Sequence, residues 1–267
     1  MDVRGKVFVV TGGGNGIGRA TVLGLLAKGA SVAAVDLRAE GLEATAELAG
    51  RPSTLSLHTV DVTDRDAVAA LPDAVVGAHG AVDSLLNIAG IIQKFVPFAQ
   101  LDVDEIERVM TVNFWGPVNT VRAFLPILLT RPQAAILNVS SMGGFIPVPG
   151  QTVYGASKAA VKLFTEGLHA ELRGTRVKVT VVFPGGVATS ITENSGVRAP
   201  AVAGADPGKM KLTTPEQAAD AIITAVEKGS YRVVIGGDAR AMDVLTRLVP
   251  ERAMTMIADK MASLLKH

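Results

Sequence analysis

Apolar residues fall along this chain in two alternating regimes. Seven short runs, dense in Val, Ile and Leu, centre near Val7, Val32, Leu57, Leu85, Ile136, Val179 and Val233. Between them lie longer segments where apolar residues recur at helical intervals, roughly over residues 17–28, 40–49, 64–79, 104–130, 155–173 and 215–228. Strands that are apolar at nearly every position are buried on both faces, the condition inside a parallel sheet sandwiched by helices. Regular strand–helix alternation predicts the same arrangement. The expected fold is α/β, a single doubly wound domain over residues 1–267. Its seven-stranded parallel sheet runs in the order 3-2-1-4-5-6-7, with helices on both faces and the ligand site at the carboxyl ends of the strands.

Two stretches stand apart. Residues 190–214 are irregular, with Gly196, Pro200, Gly204, Pro207 and Gly208. They form either a plain surface loop or a substrate lid, and lids exclude water from a site. The extension over residues 239–267 returns to helical spacing, with Met254, Ile257, Met261, Leu264 and Leu265, and Pro250 divides it into two helices. Subunit contact or core packing, a pocket wall, and contact with a membrane surface are all open to it. Arg240, Arg247, Arg252, Lys260 and Lys266 suit the last, and Asp243, Glu251 and Asp259 dilute that basic character.

Composition narrows the function classes. Hydrophobic residues make up 48% of the chain and charged ones 19%, which suits a well-packed globule; the net charge of +1 gives no electrostatic case for nucleic acid. There are no cysteines, which excludes disulfides and thiolate metal sites and agrees with a cytoplasmic location. His58, His79, His169 and His267 are scattered, so no metal site is expected. Met1 to Arg4 lead straight into the first strand, which predicts no signal peptide. No apolar run approaches the ~20 residues of a membrane span.

The chemistry begins at the first strand. Lys6 to Val10 are followed by Thr11-Gly12-Gly13-Gly14-Asn15-Gly16-Ile17-Gly18 and then a helical pattern. Strand, glycine turn and helix form the context of a dinucleotide fingerprint, although the spacing is Gly-x-x-x-Gly-x-Gly. Glycines let the backbone approach a pyrophosphate, and the helix start offers unpaired N–H groups to its charge. The second strand ends at Asp36, eighteen residues after Gly18, where an acid meets the adenosine ribose. A carboxylate there repels a 2′-phosphate and favours NAD over NADP; Arg38 argues mildly the other way. Further along, Tyr154 and Lys158 stand at i and i+4, on one face of a helix. A fixed positive charge is expected to lower a phenol's pKa, making it able to move a proton. Ser141 lies thirteen residues upstream.

These residues resemble the compact short-chain dehydrogenase/reductase family, a Rossmann-fold type, over about residues 6–237. Thr11 to Gly18 match its cofactor motif, and Asp61-Val62 resemble its adenine contact. Asn87-Ile88-Ala89-Gly90 resemble its Asn-Asn-Ala-Gly motif, with Ile88 as a departure. Asn113, Ser141, Tyr154 and Lys158 match its catalytic positions, and Pro184 to Thr189 match its nicotinamide segment. The resemblance implies cofactor contacts from Gly12, Asn15, Gly16, Ile17, Gly18, Asp36, Leu37, Asp61, Val62, Asn87, Ala89, Gly90, Tyr154, Lys158, Pro184, Val187 and Thr189. In alcohol oxidation it implies that Tyr154 takes the alcohol proton as hydride leaves for NAD. Lys158 would keep the phenol acidic and bind the nicotinamide ribose, Ser141 would hold the substrate oxygen, and Asn113 would hold a water linking Lys158 to solvent. It also implies a homotetramer or homodimer.

Substrate walls are expected from Phe145-Ile146-Pro147-Val148-Pro149 on one side and from Gln93, Phe95 and Val96 on the other, giving an apolar substrate surface. The leading expectation is an NAD-dependent alcohol dehydrogenase or ketone reductase. An NADPH-preferring carbonyl reductase and a non-catalytic dinucleotide-binding protein are the alternatives.

Overall fold

A computed structural model of the chain describes residues 1–197 and 212–261. Seven parallel strands form one sheet in the order β3-β2-β1-β4-β5-β6-β7. They are β1 (Val7–Thr11), β2 (Ser31–Asp36), β3 (Leu55–Thr59), β4 (Ser84–Asn87), β5 (Ala134–Val139), β6 (Val177–Pro184) and β7 (Arg232–Ile235). Each of the seven apolar runs became a strand. β1 pairs with β2 on one side (Val7 opposite Ser31) and with β4 on the other (Thr11 opposite Asn87). The strand order reverses between β1 and β4, and the two chains leaving their carboxyl ends diverge, which opens a crevice there.

The helices are α1 (Gly16–Ala27), α2 (Ala39–Leu48), α3 (Arg65–His79), α4 (Val103–Met110), α5 (Gly116–Thr130), α6 (Thr152–Glu171), α7 (Ile191–Asn194), α8 (Pro215–Lys228), α9 (Gly237–Leu248) and α10 (Pro250–Met261). Alternate residues of a strand face opposite sides of the sheet. In β1, Phe8 and Val10 join one core with Val22 and Leu25 of α1 and Ile222 and Ile223 of α8. Val7 and Val9 join a second core with Leu71 and Val75 of α3 and Phe124 and Leu128 of α5.

The long helix expected over 104–130 is interrupted. Thr111–Trp115 form a π-helical turn between α4 and α5. A π turn adds a residue and rotates the side chains that follow. Within it Asn113 is fully buried, while Trp115 is 44% exposed.

Pro250 divides the C-terminal segment as expected, one residue after α9's last turn. Arg232 on β7 makes a two-pronged pair with Asp243 of α9, at 2.6 and 2.9 Å. Ala239, Ala253 and Ile257 are buried, whereas Val244, Leu248 and Met254 are exposed. Part of the extension therefore packs onto the body. Leu264, Leu265, Lys266 and His267 lie outside the described residues, as does most of the loop expected over 190–214, including Pro200, Gly204, Pro207 and Gly208.

At the β3 edge, His58 and His79 converge in space although they are distant in sequence. The Nε2 atoms of both lie 2.8 Å from the Ser56 hydroxyl. Burial pushes both imidazoles below their usual pKa, towards the neutral form. Among the described residues no group of three or more metal-ligating side chains comes together, and no helix is long and apolar enough to cross a membrane.

Candidate active site

The crevice at the β1–β4 boundary is a cleft of about 670 Å³. Its floor is the turn between β1 and α1. Gly12 has φ +74°, and a Cβ there would stand 3.0 Å from the Ala89 backbone. A Cβ on Gly18 would overlap the Gly12 carbonyl. Only glycine lets the helix start this close to the strand end. Asn15 caps α1 by accepting from the Gly16 N–H at 2.7 Å. Arg19 braces the turn from behind, donating to the Gly14 carbonyl and, at 3.0 Å, to Thr45 Oγ1.

Asp36 ends β2 at the rim. Its Oδ2 accepts from the Gly14 N–H at 2.9 Å and its Oδ1 from the Arg38 N–H at 3.1 Å. The carboxylate is thus held beside the glycine turn, with exposed Leu37 and Arg38 lining the cleft next to it. Asp61 and Val62 line it opposite, and Asp61 Oδ1 accepts both bonds from Thr63, at 2.8 Å each. Thr189 closes the near wall: a Cβ on Gly16 would lie 3.2 Å from its methyl.

The inner end is built by α6, the end of β5 and the π turn. Ser141 follows β5 and accepts from the Gly143 N–H at 3.0 Å. The Tyr154 ring stands beside Ser141: a Cβ on Gly143 would lie 3.3 Å from the ring and 3.5 Å from Ser141 Oγ. One turn along α6, Lys158 is buried and donates from Nζ to the Val139 carbonyl at 3.1 Å. Its Nζ stands 6.0 Å from the centre of the Tyr154 ring. Asn113 clamps Ile91, accepting from its N–H and donating to its carbonyl, both at 2.9 Å, and donates to Ser157 Oγ at 3.0 Å. Lys158 and Asn113 reach the edge of the cleft at Gly90, where a Cβ would lie 3.0 Å from Lys158 Nζ and 3.2 Å from Asn113 Oδ1; Asn113, Ser141, Tyr154 and Lys158 themselves stand behind the cleft lining.

The electrostatics differ from the expectation. Burial pushes the Tyr154 phenol above its usual pKa, and the neighbouring Ser141 hydroxyl recovers only part of that. Burial also pushes the Lys158 ammonium down to about 8. Spacing put the two side chains on one helix face, but it carried no information about solvation. Removal from water disfavours the charged form of each group.

Most sequence-predicted cofactor residues line the cleft, namely Gly12, Asn15, Gly16, Ile17 and Gly18, then Asp36, Leu37, Asp61 and Val62, then Ala89, Gly90 and Thr189. Asn87 does not. It is buried, donating to Asn138 Oδ1 at 2.9 Å and accepting from Thr120 Oγ1 at 2.8 Å, and so fastens β4 to β5 and α5. Pro184 is buried at the end of β6, outside the cleft lining. Val187 is paired with Thr213, whose N–H donates to the Gly186 carbonyl at 2.9 Å. Asp238, two residues into α9, accepts from the Gly186 N–H at 2.8 Å. Its carboxylate fills a hollow that a Cβ on either Gly185 or Gly236 would abolish.

Gln93 is not a pocket wall: it is fully buried and bonded to the start of α6. Val96 packs with Leu101, Val109 and Val153. Sequence reasoning also missed Asp104, Glu107 and Arg108, which line the cleft from one face of α4. Their i, i+3, i+4 spacing was the available signal.

The site has the parts a dinucleotide requires. A glycine cradle faces an open helix N-terminus, and a carboxylate stands at the ribose end. Residues 6–198 match the short chain dehydrogenase family. The chain belongs to the short-chain dehydrogenase/reductase family. Among its relatives is SadH of Mycobacterium tuberculosis, named as an oxidoreductase, at 40% identity over 97% of this chain and 96% of SadH. A short-chain dehydrogenase/reductase from Burkholderia phymatum, solved in complex with NAD, superposes with a TM-score of 0.85 at 27% identity, over 94% of this chain and 96% of that one. A short-chain dehydrogenase from Burkholderia cenocepacia, solved with NADP, gives 0.81 at 27% identity, over 96% and 99%. As a member of this family, the chain is an NAD(P)-dependent oxidoreductase of alcohols and ketones.

Proposed function

We propose that this enzyme interconverts a secondary alcohol and a ketone, prefers NAD, and uses Tyr154 as its general acid and base. The observation that carries the reading is the packing of the Tyr154 ring and Ser141 Oγ about Gly143, with buried Lys158 one turn along α6 reaching the edge of the glycine-lined cleft at Gly90. Gly12, Asn15, Gly16, Ile17 and Gly18 would hold the pyrophosphate, with Asp36 and Leu37 at the adenosine ribose. Asp61, Val62, Ala89 and Gly90 would line the rest, and Val187 and Thr189 would meet the carboxamide. A bound nicotinamide dinucleotide supplies the hydride acceptor or donor.

Ser141 positions the substrate oxygen by hydrogen bonding. Tyr154 exchanges a proton with that oxygen: as a phenol it donates to a ketone, and as a phenolate it accepts from an alcohol. Lys158, poised near pH 8, orients the ribose and adds positive charge when protonated. Asn113 holds the Ile91 backbone in place and keeps a lone pair for a water towards Lys158. The enzyme acts in the cytoplasm on this reading.

The Asp36 carboxylate supports NAD, since it faces the place where a 2′-phosphate would add charge. Arg38, exposed beside it, is the observation that favours the NADP alternative. Nucleotide absorbance over a panel of secondary alcohols, diols, steroids and retinoids, with each nucleotide, identifies the substrate and settles the preference. Tyr154→Phe keeps the ring and removes the proton. It should lower kcat by roughly 10²–10⁴-fold and leave nucleotide binding intact. In the parent, alcohol oxidation should quicken as pH rises above neutral, because the phenol must first lose its proton. Undiminished turnover by Tyr154→Phe would refute the mechanism.

A further inference from the structure

The start of α6 presents a bonding problem that its own residues do not solve. A helix leaves its first N–H groups without intrahelical acceptors, and Gln151, at the capping position, makes no side-chain bond to them. The acceptor comes from the segment after β4. Gln93 Oε1 accepts from the N–H of Val153 at 2.8 Å and of Tyr154 at 2.9 Å, while its Nε2 donates to the Gly150 carbonyl at 3.0 Å. Gln151 Nε2 donates in turn to the Gln93 carbonyl at 2.8 Å. These neighbours fix the amide's orientation. Turned over, it would set an NH2 against two N–H donors and an oxygen against a carbonyl.

The two preceding residues reach other parts of the site. Ile91 is clamped by Asn113, and the Ile92 N–H donates to Ser195 Oγ, just after α7, at 3.0 Å. Three consecutive residues thus tie the π turn, the end of α7 and the helix bearing the phenol to one strap. Gln93 is its link to Tyr154.

We propose that Gln93 is a positioning residue for Tyr154, clamping the first turn of α6 so that the phenol stays seated against Ser141. Its importance for turnover rests on the reading of Tyr154 as the proton-exchanging group. Gln93 acts through the α6 backbone rather than at the reacting atoms. An apolar replacement would leave two buried N–H groups unpaired and let the turn swing.

The chain has two tyrosines, Tyr154 and Tyr231, so phenol ionisation can be followed without any substrate. In a Tyr231→Phe background, ultraviolet difference titration reads Tyr154 alone. Gln93→Met should lower its midpoint by about half a unit or more, since a loosened turn admits water to the phenol. Gln93→Asn keeps the amide's donor and acceptor on a shorter arm and should lower the midpoint less. Midpoints lowered in that order in the folded variants support the proposal, and a Gln93→Met midpoint equal to or above the parent's overturns it. If Gln93→Met does not fold, Gln93→Asn decides alone: a lowered midpoint supports the clamp, and an unchanged or raised one overturns it. Tyr154→Phe turnover separates the underlying reading. Retained activity there would remove Tyr154 from the chemistry while the titrations still judge the clamp.

Discussion

Lys158 carries an amine into a buried site, and its pKa of about 8 gives that burial a measurable signature. Between pH 8 and the unfolded lysine's higher value, the unfolded chain binds more protons than the folded one, so this group's contribution to stability rises with pH across that window. Below it, the buried charge weighs against folding. Lys158→Met should therefore stabilise the protein at pH 7, by about 1–2 kcal/mol after loss of the Val139 hydrogen bond, while abolishing turnover. Melting curves from pH 7 to 10 should show the advantage shrinking. Tyr154 has the opposite sign, since its raised pKa subtracts stability as pH climbs past the free phenol's. At the cleft rim, Asp36→Ala should relax discrimination against NADP by about tenfold or more, the effect of removing one like charge near the phosphate. Affinity for NAD should fall as well, because the Gly14 N–H loses its acceptor. Competitive binding of the two nucleotides measures both.

Among the elements, the β1–α1 turn is the least tolerant. A methyl on Gly18 would meet the Gly12 carbonyl, so Gly18→Ala should cost roughly 1–3 kcal/mol of stability and weaken nucleotide binding, read by melting and by NADH fluorescence titration. This turn was legible in the sequence because its chemistry is local: glycines, a capping Asn15 and a flanking strand lie within a dozen residues. The seven strands were legible for a similar reason, being apolar runs buried on both faces. The π turn was not. Apolar residues keep their helical rhythm from Ile106 through Val112 to Val121, and one extra residue leaves no mark in that rhythm. Gln93 was misread because chain proximity to Gly90 says where a residue is, not which way it points. The raised Tyr154 pKa escaped because solvation belongs to the assembled fold.

At the scale of the whole molecule, several apolar side chains remain on the α5 and α6 surfaces: Leu129 is 46% exposed, Leu163 69%, and Trp115 at the head of α5 44%. The assembly implied by the family resemblance would cover them. Sedimentation should therefore show a dimer or tetramer of the 27.6 kDa chain, and a purely monomeric profile at working concentration would count against it. Charge substitution at Leu163 should shift the distribution towards smaller species. Helix α9 is bound to the body by buried Ala239, by the Arg232–Asp243 pair and by Asp238. The last attachment limits how this protein can be re-engineered. Because one carboxylate acts as the peg between Gly185 and Gly236, the tail is not a detachable cassette. A chimera joined after residue 236 must bring an acid of the same reach in its second position, or the turn that follows β6 will lose its shape along with the transplanted helices.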